Sequence, residues 1–204
     1  MTKKIIDKKY KKELKRKLLH LSSLWIPVFI YLFPKNICIA VLGALLLGNI
    51  IIEYLNYKKN PVTRKYLGFV FLKLSRSFEL KKNQIRFSGS VFVLLASLFA
   101  VIFFYQNVAI ISITIMLISD TVAALWGRAF GKIKIFDGKS VEGSLAFFTS
   151  AIITSIVLDN LLPFNYSIVI ACITATFFEI YSKKLRLDDN LAITMSLGTM
   201  LTIL

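Results

Sequence analysis

Twenty-five of the 26 lysines and arginines in this chain lie in alternate connections between long apolar runs, and that bias constrains the fold more than any other feature. Nine precede the first run, nine fall in 58–86, four in 127–144 and three in 182–189; the connections of the other set hold Lys35 alone. Basic residues confined to one side of successive spans are what the positive-inside rule produces. A bilayer core about 30 Å thick takes roughly 20 apolar residues of helix, fewer where flanking side chains snorkel. Seven segments meet that requirement: 18–34, 37–57, 87–104, 107–126, 145–162, 164–181 and 190–204. The chain reads as an all-α polytopic membrane protein, a single domain over 1–204 with about seven transmembrane helices, its amino terminus cytoplasmic and its carboxyl end outside. A missed or invented span would mix the two sets of charges, so span number and orientation support each other.

Composition excludes the obvious competitor. A net charge of +15 suggests nucleic-acid binding, but 56% of the residues are hydrophobic and the mean hydropathy is +0.69. A soluble phosphate-binding surface of that charge needs a polar exterior that this chain lacks, so no nucleic-acid partner is expected. The basic start followed by an apolar run imitates a signal peptide; without a small-residue cleavage site it reads as a retained first helix. Cys38 and Cys172 sit inside apolar runs as small hydrophobes, with no disulfide framework. In 58–86, Leu67, Val70, Phe71, Leu74 and Phe78 recur at helical spacing away from Lys65, Lys73 and Arg76, the pattern of an amphipathic helix on the inner membrane surface.

Ionisable groups in or beside spans cost free energy unless paired or hydrated, so their positions point to a site. Arg16, Lys17 and His20 share a helical face at the inner end of the first span. Asn49 and Glu53 pair at i, i+4 in the second, Asp120 lies within the fourth, Glu179 near the inner end of the sixth, and Asp188, Asp189 and Asn190 open the seventh. All belong to the cytoplasmic half. Lysines and arginines at span ends commonly only snorkel, and Asp189 and Asn190 could serve as helix caps. Asp120 is different, because a carboxylate within a span needs a cation, a metal or water.

The densest signal runs from Ser119 to Ser144. Asp120, Ala123, Ala124 and Gly127 fall at i, i+3, i+4 and i+7, one helical face made of a carboxylate and three small residues, with room for a ligand or a close neighbour. Arg128, Lys132, Lys134 and Lys139 add positive charge beside Gly127, Gly131, Gly138 and Gly143, where backbone N–H groups can approach an anion. Gly143 and Ser144 open the next helix, with its positive dipole end toward the same space. Phosphate binding is the natural expectation. The cradle is not a Walker loop, because the position five before Gly138 is Ile133.

At these residues the chain resembles the membrane lipid-alcohol kinases, the family of dolichol kinase, phytol kinase and the CTP-dependent diacylglycerol kinase. The resemblance covers most of the chain. An Arg-Lys-x-x-His element opens the first span, as Arg16-Lys17-Leu18-Leu19-His20 does here. The central D-x-x-A-x-x-x-G-R-x-[FY]-G and K-S-x-E-G-S are matched by Asp120, Ala123, Gly127, Arg128, Phe130 and Gly131, then Lys139, Ser140, Glu142, Gly143 and Ser144. A late Asp-Asn element is matched by Asp189-Asn190, though Leu191 to Thr194 lack the proline that often follows it; Glu53 and Glu79 are weaker acidic matches.

The resemblance implies transfer of the γ-phosphoryl group of CTP, or another nucleoside triphosphate, to the hydroxyl of a membrane lipid, an isoprenoid alcohol or diacylglycerol. It implies Asp120, Glu142 and Asp189 as candidates for Mg²⁺ (or another divalent cation) ligand or base, and His20 as base or orienter of the hydroxyl. Arg16, Lys17, Arg128 and Lys139 would hold phosphate, with Gly127, Gly131, Ser140, Gly143, Ser144 and Asn190 around the nucleotide. The expected partners are the bilayer, its lipid substrate and the nucleotide, and the expected place is a bacterial inner membrane with the site facing the cytoplasm. CDP-diacylglycerol synthases carry a similar central pair, but their K-R-x-x-x-x-K-D signature is absent from residues 180–204. A synthase would release pyrophosphate and a CDP-lipid; a transporter or scaffold, with Asp120 and Glu179 on an ion path, would give no nucleotide-dependent product.

Overall fold

A computed structural model describes residues 8–58, 88–135 and 138–204. Among them are eight α-helices: α1 Lys8–Leu21, α2 Trp25–Leu32, α3 Lys35–Tyr57, α4 Gly89–Phe103, α5 Gln106–Phe130, α6 Val141–Val157, α7 Tyr166–Tyr181 and α8 Asp189–Ile203. No β-strand occurs among the described residues, only an isolated antiparallel bridge between Lys134 and Ser140. The amphipathic helix expected over 58–86 and the acidic position Glu79 lie almost wholly outside the described residues.

The helices follow the apolar runs, with two differences in their bounds. The first run is not one rod: a 3-10 turn over Ser22–Leu24 separates α1 from α2. Pro27 sits in the first turn of α2 and has no N–H to give to the carbonyl four residues back, so a break just before it is where a continuous helix fails. The connection expected over 127–144 is also shorter. α5 continues to Phe130 and α6 begins at Val141, so Gly127 and Arg128 are helical and not loop residues.

α5 is the axis of the packing. It contacts α1, α2, α4, α6 and α8, and its Ile111, Ile113, Ile115, Met116 and Leu117 are fully buried. Three hydroxyls on this helix return to the carbonyl one turn back, Ser112 to Val108, Thr114 to Ile110 and Thr121 to Leu117, at 2.7 to 2.8 Å. That satisfies polar groups within apolar surroundings. α3 and α5 are long and apolar enough to cross a membrane by length and composition; α4, α6 and α7 are apolar but shorter. The outward faces are greasy, with Leu47 and Ile51 of α3, Ile153 and Ile156 of α6, and Ile173 and Phe177 of α7 exposed. Cys38 and Cys172 are buried and free.

Both ends of the bundle are tied by polar side chains. At one end, Lys35 Nζ donates to the Ile102 carbonyl at 2.8 Å, Gln106 Nε2 to Ile30 at 2.7 Å and Asn107 Nδ2 to Leu161 at 2.8 Å. Ile30 and Ile102 lie in the last turns of α2 and α4, so these bonds satisfy carbonyls that a helix leaves without intrahelical partners. The other end carries the acidic and basic groups singled out above.

Candidate functional site

Helices α5 and α6 cross at their facing ends with almost no side chain between them. A Cβ on Gly143 would stand 3.1 Å from the Ala123 carbonyl oxygen and 3.2 Å from Gly127 Cα; one on Gly127 would stand 3.3 Å from Gly143 Cα. The small face expected of Asp120, Ala123, Ala124 and Gly127 therefore serves both of its uses, close approach to a neighbour and open space. Ser140 caps α6 by accepting from the Gly143 N–H at 3.2 Å. Before it, the chain turns back as a short hairpin in which Ile135 N donates to Lys139 O at 2.9 Å and Val141 N to Ile133 O at 3.0 Å. Gly138 within this turn has φ of +82°, a backbone region that L side chains rarely adopt.

The result is a cavity of about 260 Å³. Its floor is Asp120, Ala123, Ala124 and Gly127 of α5; the hairpin and α6 add Gly138, Lys139, Ser140, Gly143 and Ser144. Arg16 reaches it from α1, Arg128 from the end of α5, and Asp189 from α8. Twelve positions separated by as many as 173 residues in sequence thus meet at one place, some of them singled out from spacing and others from the family resemblance. Glu13, Glu179 and Lys183 complete the lining and were not expected as binding residues.

The charges are arranged in pairs around it. Lys17, 1% exposed, donates to Asp120, and His20 Nε2 lies 3.6 Å from the same carboxylate without a hydrogen-bond partner. Neither Lys17 nor His20 lines the cavity, so both act from behind Asp120. Glu13 bridges two arginines, accepting from Arg16 and lying 2.7 Å from Arg128. Lys139 sits among three oxygens: Glu179 Oε1 at 2.7 Å, the Glu179 carbonyl, and Asp189 Oδ2 at 3.3 Å. Burial pulls the Lys139 pKa down, but the Asp189 and Glu179 carboxylates outweigh it and hold the ammonium above its ordinary range.

Other expected residues are placed elsewhere. Glu142 does not line the cavity; its carboxylate accepts from the Lys132 N–H at 3.0 Å and the Ile133 N–H at 3.2 Å, bracing the hairpin. Its own amide and those of Lys132 and Ile133 hold its pKa below the usual carboxylate value. Asn190 is buried beside the cavity lining and donates from both its amide N–H and Nδ2 to Asp188 Oδ1, the cap of α8. Asn49 and Glu53 bond to Ser90 and Ser88 at the start of α4, where a carboxylate meets a helix amino end. The amides of Gly131 and Gly143 are already bonded, to Gly127 O and Ser140 Oγ, so these glycines contribute closeness of backbone and not free donors.

Chemically, the cavity offers two guanidinium groups, two ammonium groups and four carboxylates on one surface. That suits a polyanion carrying a divalent cation. Among the described residues no group of three or more His, Cys, Asp or Glu side chains is placed to hold a metal by itself.

No family model matches the chain, and no solved structure does. It is 41% identical over 191 residues to an uncharacterized protein of Rickettsia prowazekii, covering 90% of each chain. It is 32% identical over 185 residues to an uncharacterized protein of Methanocaldococcus jannaschii, covering 88% of this chain and 87% of that one. It is also 30% identical over 149 residues to the CTP-dependent diacylglycerol kinase 1 of Saccharomyces cerevisiae, covering 71% of this chain but about half, 49%, of the yeast protein. Near-complete coverage at these identities shows that the chain belongs to one family with the Rickettsia and Methanocaldococcus proteins, and the chain itself is similar over a shorter stretch to the yeast lipid kinase.

Proposed function

We propose that the protein is a multi-pass membrane enzyme that phosphorylates a membrane lipid alcohol from a nucleoside triphosphate, with CTP as donor and diacylglycerol or an isoprenoid alcohol as acceptor. The observation that carries this reading is the cavity in which Asp120, Lys139 and Asp189 meet Arg16 and Arg128. Likeness to the yeast enzyme, whose name gives CTP dependence and diacylglycerol, supports donor and acceptor. The charge bias of the sequence supports seven spans with the cavity on the cytoplasmic face, where nucleotide is available, and with the bacterial inner membrane as the place. Exposed apolar helix faces beside the cavity would admit the acceptor chain laterally from the bilayer.

Phosphoryl transfer depends on positioning and charge neutralisation more than on covalent chemistry. Arg16, Arg128 and Lys139 take the phosphate charge. The lipid hydroxyl oxygen forms a bond to the γ-phosphorus as the bond from that phosphorus to the β-bridging oxygen breaks; the nucleoside diphosphate leaves, and the hydroxyl proton passes to Asp120. Lys17 and His20 fix the orientation of Asp120. Mg²⁺ is bound typically through one or two carboxylates together with substrate phosphates, and Asp189, the more exposed acid, presents the hard oxygen donor that such an ion would take. When bound, the ion would neutralise charge on the β- and γ-phosphates.

The test is turnover of the purified chain in lipid nanodiscs with CTP labelled at the γ- or α-phosphate, against a panel of lipid alcohols. Label from the γ-position alone should enter a lipid monophosphate, and Asp189→Asn and Lys139→Gln should each lower the rate at least about a hundredfold, the scale of a lost transition-state charge contact. Transfer of α-label with release of pyrophosphate would make the enzyme a cytidylyltransferase, and no transfer to any lipid would end the enzymatic reading.

A further inference from the structure

Lys139 is the cavity's buried ammonium, and its geometry is set by a residue that no sequence motif pointed to. An ammonium has three donors. Those of Lys139 face Glu179 Oε1, the Glu179 main-chain oxygen and Asp189 Oδ2, so Glu179 contributes two of the three acceptors. Glu179 is itself fixed: Ser144 Oγ donates to its Oε2 at 3.2 Å. It lies in the last turn of α7, whose free carbonyls carry the negative end of the helix dipole, a natural seat for a cation. The two acidic partners are not equivalent. The Glu179 side chain is 7% exposed and that of Asp189 29%, and the Asp189 contact is the longer. Asp189 keeps a second donor, Ser182 Oγ, whichever way Lys139 turns.

We infer that Glu179 is the positioning residue for Lys139: its carboxylate and carbonyl oxygen hold the ammonium against the cavity, and Asp189 is the partner that an arriving phosphate displaces. With all three donors occupied, a phosphate oxygen can bind Lys139 only by replacing one acceptor. Drawing Lys139 away from Glu179 would leave that buried carboxylate with a single hydroxyl donor, Ser144 Oγ, whereas Asp189 turns toward water and Ser182. The exchange therefore occurs at Asp189, and Glu179 keeps Lys139 at the same depth before and after. This rests on the cavity being the phosphoryl-donor site.

The test uses the full chain in nanodiscs and two readouts. The first needs no nucleotide: competitive labelling of Lys139 with a small amine-reactive reagent over a pH series, followed by peptide mass spectrometry. Glu179→Gln should move the labelling midpoint of Lys139 to lower pH. The second is calorimetric affinity for magnesium CTP, which Glu179→Gln should weaken about tenfold by mispositioning one charge contact. In a Lys139→Met background the same Glu179→Gln change should alter affinity less than about twofold, because a positioning residue has nothing left to position. An unmoved Lys139 midpoint in Glu179→Gln overturns the inference whatever the turnover, and so does an equal loss of affinity with Lys139 already removed. A parent protein that binds no CTP while the midpoint still moves keeps the Glu179 anchor and overturns the nucleotide reading instead.

Discussion

The Lys17–Asp120 pair should be thermodynamically lopsided, and the size of the asymmetry follows from where each partner faces. Lys17 is 1% exposed and Asp120 is its only ion-pair partner among the described residues, whereas Asp120 opens on the cavity and has His20 Nε2 at 3.6 Å as well. Asp120→Asn leaves an ammonium sealed in the bundle, which costs about 3–5 kcal/mol when one member of a buried pair is removed. Lys17→Met leaves a carboxylate that cavity water can reach and His20 can approach, so its cost is that of an under-satisfied acceptor, about 1–3 kcal/mol. At roughly 2–4 °C per kcal/mol for a chain of this size, the aspartate change should lower the melting temperature by about 6–20 °C and the lysine change by about 2–12 °C. The double variant, with no charge to bury, should be no less stable than Asp120→Asn alone. Thermal unfolding in micelles, followed by the fluorescence of Trp25 and Trp126, reads all three. Equal losses for the two single variants, or a double variant whose loss is their sum, would refute an argument built on solvent access to one partner only.

Three further outcomes follow from packing, capping and titration. A Cβ on Gly198 would overlap the Phe104 ring where α8 meets α4, so Gly198→Ala should lower stability by about 1–3 kcal/mol, and Phe104→Leu in the same chain should recover most of the loss in thermal melts. Ser140→Ala removes the acceptor for the Gly143 N–H at the start of α6 and should cost about 1 kcal/mol, with faster amide exchange confined to the first turn of that helix. Because the folded state holds the Glu142 pKa below its unfolded value, its brace on the hairpin is complete at neutral pH and is lost as pH falls through that lowered value. Protection of the Lys132 and Ile133 amides, taken relative to intrinsic exchange at each pH, should therefore fall on acidification below the ordinary carboxylate range in the parent, and be low at all pH values in Glu142→Ala.

Much of the site was legible because helical periodicity is local. Asp120, Ala123, Ala124 and Gly127 share a face by arithmetic alone, and that face is the cavity floor. Loop residues were harder. Lys139 and Glu142 are three positions apart, but Ser140 caps α6 between them, so Lys139 stays in the hairpin while Glu142 enters the first turn and points back at the hairpin amides. No spacing rule shows where a cap will fall to within one residue. Glu13 escaped notice for another reason: one of two acids among nine basic residues reads as solvated surface, and only the approach of α1 to α5 brings it onto Arg128. The break of the first run into α1 and α2 was not read from the spacing either, although Pro27, which has no N–H to give one turn back, accounts for it.

The pairing pattern explains how so charged a pocket persists inside an apolar bundle. Every carboxylate on the cavity wall already has a cation: Asp120 has Lys17, Glu13 has Arg16 and Arg128, and Glu179 and Asp189 share Lys139. Unpaired, such groups would be expensive at this depth; paired, they leave a cavity whose net field is small and whose partners can be exchanged. The pairs also cross between helices, from α1 to α5 twice and from the hairpin to α7 and α8. A polyanion that recruits Arg16, Arg128 and Lys139 must therefore loosen bonds at Glu13 and Asp189 while adding its own across the same helices. Binding of such a ligand would therefore act on the ties of the first and last helices, because the groups that would hold it are the groups that hold those helices to the core.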